Sequence, residues 1–298
     1  MKNKFAAGPL LIIIAAILWG LDGVLRRSLY SLPPISIIFF EHLFGFLIIL
    51  PFVCKDMRSV RLSKKDWSIL ALVSLLSGLL GTLFFTTALL STGFISFSVV
   101  YLLQKLQPIF AISTARIFLK ERMRSEYFGW AALALLAAYF VTFPNGVVNF
   151  STGSGTVVAA LFALGAAFAW GTSTTFSKMI LSDISPSLAT GLRFLLTTIL
   201  AFVGVFLLGK SSSLGAVTLP QAGVLIAIAL STGMVALFIY YKGLKNTPVA
   251  VATILELFYP LIAVAIDIAV FHNTLAVSQY IAALILIFAM HRVGKLAA

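Results

Sequence analysis

Six ionisable side chains stand inside otherwise apolar stretches of this 298-residue chain: Asp22, Glu41, Lys105, Arg193, Glu256 and Asp267. A charge at the centre of a membrane helix costs about 2.5–3.5 kcal/mol, so six facing lipid would cost on the order of 15–20 kcal/mol. They must instead face an interior where they pair or meet water. Asp22, Lys105 and Glu256 fall within about one helical turn of the expected midplane. Mixed signs at one depth leave two chemistries open. Lys105 neutralises a carboxylate in a buried pair that fixes helix packing, or the three groups bind a zwitterion or carry a proton. Asp22, Glu256 and Glu41 are the candidates for coupling to protons.

These groups matter only if the apolar runs cross a membrane, and composition says that they do. Hydrophobic residues make up 61% of the chain and charged ones only 10%, with a mean hydropathy of +1.09. A span needs roughly 20 apolar residues. Ten runs qualify: 8–30, 34–54, 67–90, 95–118, 126–144, 155–180, 186–208, 219–243, 248–271 and 275–293. The expected fold is an all-α polytopic membrane protein. The first run is long for a signal peptide and has no small-residue cleavage site before Arg26-Arg27, so it is expected to be a span.

The net charge of +12 reports topology. With the N-terminus inside, sixteen of the 21 Lys and Arg residues fall at cytoplasmic ends, and Arg26, Arg27 and Lys210 fall outside. That bias predicts an inner (plasma) membrane location with both termini cytoplasmic. It also favours anionic lipid over nucleic acid as the neighbour. Cys54 stands alone, and His42, His272 and His291 lack ligand spacing. No disulfide, metal site or cofactor is expected. Cys54 and His42 are expected to be structural, and a monomer or weak homo-oligomer is expected.

The chain repeats itself. Ala15-Ala16-Ile17-Leu18-Trp19-Gly20 returns as Ala166-Ala167-Phe168-Ala169-Trp170-Gly171, and Gln107-Pro108-Ile109-Phe110-Ala111 returns as Tyr259-Pro260-Leu261-Ile262-Ala263. Each copy holds five runs, an odd number, so the copies must be inverted in the bilayer. The expected units are repeats over 1–144 and 155–298, joined by a polar linker over 145–154. Pro108 and Pro260 are expected to kink spans four and nine, which points to a central site there.

Helical spacing gathers polar groups into stripes: Trp19, Asp22, Gly23 and Arg26 in span one; Tyr101, Gln104, Lys105 and Pro108 in span four; Trp170, Ser173, Thr174 and Ser177 in span six; Thr253, Glu256 and Pro260 in span nine. Four such stripes describe the wall of a water-accessible cavity. Trp19 and Trp170 either pack close helix crossings or line that cavity. Tyr240 and Tyr241 add hydroxyls from span eight. Glu41 and Arg193 each follow a span-opening proline by seven residues. Pseudo-symmetry sets them at opposite depths, so no direct pair between them is expected. Spans five and ten look peripheral.

The duplicated five-helix half, the Ala-x-x-Trp-Gly motifs, the prolines of spans four and nine and the Leu119-Lys120-Glu121-Arg122 ending resemble the EamA family of the drug/metabolite transporter superfamily. The resemblance covers essentially the whole chain. It implies a ten-helix basket with a cavity lined from spans one, three, four, six, eight and nine, alternating access, and small-metabolite transport. It carries Trp19, Asp22, Tyr101, Lys105, Trp170, Tyr240 and Glu256 into the lining. Two departures stand out. Phe271-His272-Asn273 ends span nine where the family repeats its glutamate, and Glu41-His42 replaces an Arg-aromatic pair that Arg193-Phe194 keeps.

The substrate site expected from residues and resemblance together is Trp19, Asp22, Tyr101, Gln104, Lys105, Trp170, Thr174, Tyr240 and Glu256. The expected activity is secondary-active transport, in the export direction, of small polar metabolites, with amino acids or related zwitterions first. Organic cations and drugs are the alternative. There is no glycine-rich ATP loop. An intramembrane transferase, which would show clustered metal-binding carboxylates, or a channel is more remote.

Overall fold

The computed structural model describes residues 2–58, 60–91, 104, 106–147, 156–259, 261–262, 265–266 and 276–296. Among these every regular element is a helix. The first half contributes α1 (Lys2–Arg26), α2 (Pro34–Met57), α3 (Lys64–Val73), α4 (Thr82–Ser91), α5 (Gln107–Thr114) and α6 (Ser125–Thr142). The second contributes α7 (Thr156–Asp183), α8 (Pro186–Leu207), α9 (Leu219–Leu230), α10 (Met234–Leu244), α11 (Val249–Leu255) and α12 (Val277–Lys295).

Seven stretches of described helix are long and apolar enough to cross a membrane, and each coincides with an expected span. The expected spans 95–118 and 248–271 run partly over residues outside the described set, and 126–144 is the 18-residue α6. Large apolar side chains such as Leu207, Leu219 and Leu284 are 81%, 87% and 70% exposed. In water such a surface would aggregate; lipid accepts it. Inside, small residues let the helices approach: Ala15, Ala16, Ala163, Ala166 and Ala167 are fully buried. Cys54, expected to pack inside, is exposed.

Local chemistry sets where helices begin. Ser63 and Asp66 form a capping box, as do Thr218 and Gln221. Ser185 Oγ accepts from the Leu188 amide ahead of a first-turn Pro186. The main helix pairings are α2 on α8, α6 on α12, α1 on α10, α5 on both α7 and α11, and the α3–α4 segment on α7. Exchanging the two halves maps the inter-half pairings onto one another: α1 on α10 becomes α7 on α3–α4, while α2–α8, α5–α11 and α6–α12 each map onto themselves.

Two helices are irregular at related places. Between α3 and α4 the chain widens into a π-helix, Ser74–Gly81. Between α9 and α10 the helix breaks at Ser231–Gly233, where Ser231 has φ −130° and ψ −83°. Ser77-Gly78 and Thr232-Gly233 occupy these two sites. Such breaks in apolar runs are tolerated only against protein or a cavity.

The Leu119–Arg122 ending has a mechanical role. Lys120 adopts φ +55°, which turns the chain so that the Glu121 carboxylate accepts from the Val249 and Ala250 amides at 2.8 and 3.2 Å. An anion thus caps the start of α11, where Pro248 offers no side-chain cap. Lys178 Nζ donates to the carbonyls of Leu244, Lys245 and Thr247 at 2.7–3.0 Å, a cation at the end of α10. Glu121→Ala is therefore expected to cost about 1–2 kcal/mol, seen as a lower melting temperature of the purified protein. An unchanged melting temperature would show that the cap contributes nothing.

Candidate functional site: a polar path through the bundle

The Trp-Gly motifs are close crossings first. A methyl built on Gly20 would lie 2.5 Å from Ile262 Cγ2, and one on Gly171 would lie 2.5 Å from the Gln107 carbonyl oxygen. The glycines bring α1 against the α11 side and α7 against α5. Each adjoining tryptophan then meets an aromatic ring: Trp19 packs on Tyr240 with centroids 5.0 Å apart, and Trp170 on Phe85 at 5.3 Å. Phe85 and Tyr240 are matched in the two halves, as are Ser77 and Thr232, at the same separation in sequence.

The Trp19–Tyr240 pair borders a buried carboxylate. Glu256 accepts from Tyr240 OH at 2.5 Å and from Gln107 Nε2 at 2.9 Å. Among the described residues the Trp170–Phe85 side has no such acid. Phe85 lacks the hydroxyl, and Gln104 stands where Glu256 stands in the other half, its Oε1 buried without a hydrogen-bond partner. Thr172 and Thr253 also bury hydroxyls without partners. Buried acceptors and hydroxyls without partners suit a ligand that supplies hydrogen bonds. Thr174, expected in the site, is buried and donates to the Trp170 carbonyl at 3.1 Å.

The remaining intramembrane charges form two further clusters. Asp22 and Arg26, one turn apart, pair directly, and Arg26 Nη2 also reaches Glu41 Oε2 at 2.8 Å. Thr232 Oγ1 donates to Asp22 at 2.6 Å. A methyl on Gly233 would come within 3.1 Å of Glu41 Oε1, so this cluster packs on the break between α9 and α10. Arg26, set on the polar stripe of span one and counted with the outside charges from sequence, is a buried bridge between two carboxylates. Asp22 and Glu256 share no partner, because each is claimed by different helices.

The second cluster surrounds Arg193. Its Nη2 donates to Ser77 Oγ at 2.6 Å and its Nη1 to Tyr241 OH at 3.0 Å, which is also 3.0 Å from Ser177 Oγ. Trp170 Nε1 donates to the Ser77 carbonyl at 3.2 Å. Arg193 and Glu41 do not pair, as expected. His42 rests on Phe194 at 4.6 Å with Nδ1 2.8 Å from the Ile38 carbonyl oxygen.

A turn at Leu106 separates the helical Gln104 from α5, which Pro108 enters in its first turn. Leu106 caps α5, and the proline lies in its first turn, where no amide is needed. Approaching Pro260, the chain tightens into a 3-10 turn over Glu256–Phe258. Tyr101, Lys105, Pro260 and Asp267 lie outside the described residues, and no cluster of metal-ligating side chains occurs among the described ones. Sequence reasoning passed over Gln107, Thr232, Ser77 and Phe85. The Ser-Gly/Thr-Gly correspondence of the two halves was the available signal.

The profile of the EamA-like transporter family matches residues 6–143 and 157–291. The chain is 37% identical over 295 residues to "Riboflavin transporter ImpX" of Fusobacterium nucleatum subsp. nucleatum, covering 97% of this chain and 98% of that protein. It is 27% identical over 255 residues to "Uncharacterized transporter YwfM" of Bacillus subtilis, covering 85% and 82%. A solved crystal structure superposes with a TM-score of 0.77 at 16% identity over 97% of both chains, a likeness of fold. On these matches, two copies of one helical unit packed around buried polar groups, the chain belongs to the EamA-like transporter family.

Proposed function

We propose that this protein is a plasma-membrane secondary transporter, not an enzyme, built as two inverted repeats over 1–144 and 155–298, whose substrate is riboflavin or a close flavin. The observation that carries this reading is the pair of aromatic contacts, Trp19–Tyr240 and Trp170–Phe85, beside the hydrogen-bonding groups of Gln107, Glu256 and Ser77. Stacking on aromatic faces and a few polar contacts is what a planar heterocycle requires. The 37% identity to a protein named as a riboflavin transporter supports the same substrate. Zwitterions fit less well, because Asp22 is committed to Arg26 and Thr232. Organic cations are the second reading, since Glu256 has hydrogen-bond donors around it but no cation among the described residues.

The transport cycle alternates access to the central site. With both termini cytoplasmic, the Asp22–Arg26–Glu41 cluster lies toward the outside and the Arg193 cluster toward the inside. Vesicles loaded or challenged with substrate read the direction, for which export is the sequence expectation, and dependence on a pH gradient tests proton coupling.

Riboflavin uptake into proteoliposomes is expected to saturate and to resist competition by amino acids and by tetraethylammonium. Trp19→Ala and Tyr240→Ala should each weaken riboflavin affinity about tenfold, as loss of one ring stack of ~1.4 kcal/mol gives. Competition by tetraethylammonium with no riboflavin uptake would transfer the assignment to cations; competition by amino acids would restore the zwitterion reading.

A further inference from the structure

Arg193 carries a positive charge within the apolar α8, and among the described residues its hydrogen-bond partners are neutral. Its two terminal nitrogens donate to Ser77 Oγ and Tyr241 OH, and Nε is buried with no partner. Of the chain's nine acidic residues, Asp267 alone lies outside the described set, and the other eight are engaged elsewhere. Asp22 and Glu41 hold Arg26, and Glu256 holds Tyr240 and Gln107. Glu121 caps α11, Glu126 meets Arg292, Asp66 caps α3, and Asp56 and Asp183 accept from serines. Glu41 feels Arg193 electrostatically, but its carboxylate is held by Arg26.

An intramembrane guanidinium with no paired carboxylate among the described residues marks a place where an anion arrives. Its position says which anion. Ser77 joins Arg193 to the Trp170–Phe85 clamp, with its hydroxyl taking the guanidinium and its carbonyl taking the indole N–H. Ser77 thus holds the Trp170 indole and the Arg193 guanidinium on one residue, so an anionic group carried by a ring bound near Trp170 has a cation close by. The matching place in the other half has Glu41, which shares Arg26 with Asp22 in a cluster of two carboxylates and one guanidinium, so only the Arg193 end of the path can take an anion.

We propose that Arg193, with Ser77 and Tyr241 as its positioning residues, is an anion subsite of the transport path, and that the protein binds planar aromatic substrates bearing a phosphate or carboxylate tail, riboflavin 5′-phosphate among them. The proposal rests on the flavin reading above and extends it from neutral to anionic flavins. Arg193 also provides a guanidinium planar enough to hold a phosphate through two N–H donors.

The test is flavin-fluorescence quenching on the full-length protein in lipid nanodiscs, titrated with riboflavin and with riboflavin 5′-phosphate. Wild-type protein is expected to bind the phosphate ester at least as tightly as riboflavin. Arg193→Gln should shift the ratio of the two affinities against the ester tenfold or more, and Arg193→Lys should recover part of that shift. Riboflavin binding without ester binding to the wild type overturns the anion subsite and leaves the flavin reading intact. An affinity ratio unmoved by Arg193→Gln also overturns it, and binding of neither flavin overturns both.

Discussion

Replacing Arg26 with leucine is expected to destabilise this protein more than any other single charge change. Arg26 bridges Asp22 and Glu41, and the three side chains are only 15%, 23% and 6% exposed. Removing the bridge leaves two carboxylates facing one another in a membrane interior. Loss of one partner from a buried pair costs about 3–5 kcal/mol, because the remaining charge is uncompensated. Folded protein recovered from membranes should fall several-fold, with a matching drop in melting temperature. The triple variant Asp22→Asn, Arg26→Leu, Glu41→Gln removes the charges together and should regain much of the loss, since neutral replacement of a whole buried network is often tolerated. A single variant as stable as wild type would mean that water, not Arg26, solvates the carboxylates.

The second large effect is expected at Gly171. An added Cβ would meet the Gln107 carbonyl oxygen at 2.5 Å, Phe110 Cβ at 2.9 Å and the Ala111 amide nitrogen at 3.1 Å. Two of these three are backbone atoms, so no rotamer change relieves the contact, and α7 must move away from α5. Overpacking of this kind costs about 1–3 kcal/mol. The same motion carries Trp170 off Phe85 and Ser77, so Gly171→Ala should lose transport in addition to stability. Gly129 supplies the contrast, because nothing lies within 4 Å of a Cβ added there. Gly129→Ala in α6 should gain about 0.5–1 kcal/mol from helix propensity alone. Equal melting temperatures for the two variants would refute the close-crossing account of the Trp-Gly motif.

Much of this architecture is legible in the order of residues. The seven long apolar helices fall where hydropathy places them, because a span is a local property of about 20 residues. The polar stripe Trp19, Asp22, Arg26 is legible too, since residues three, four and seven apart share a helix face. The partner across the bundle is not. Arg26 stands on that stripe near the end of its hydrophobic run, but nothing local shows that α2 returns beside it with Glu41. Pro108 is similar: the residue type permits a kink or a helix start, and the sequence does not show that the turn falls at Leu106 with the proline in the first turn of α5.

The break at Ser231–Gly233 is the clearest case of information held outside the local sequence. The stretch Leu219–Leu244 contains an 18-residue window of mean hydropathy 2.4 and no proline beyond its first turn, so it reads as one helix. Glu41 packed beside Gly233 and Asp22 bonded to Thr232 come from elements almost two hundred residues away. They occupy the gap where a regular helix would have closed.

By itself the sequence determined the membrane environment, the duplicated plan and the faces on which polar groups stand, because burial in lipid and helical periodicity act residue by residue. Only the tertiary structure decided which of those groups neutralise each other. Charge pairing depends on distances between helices, which here are set by glycine crossings and by the two irregular segments. That pairing takes Asp22 and Glu41 into a bridge with Arg26 and leaves Arg193 among hydroxyls.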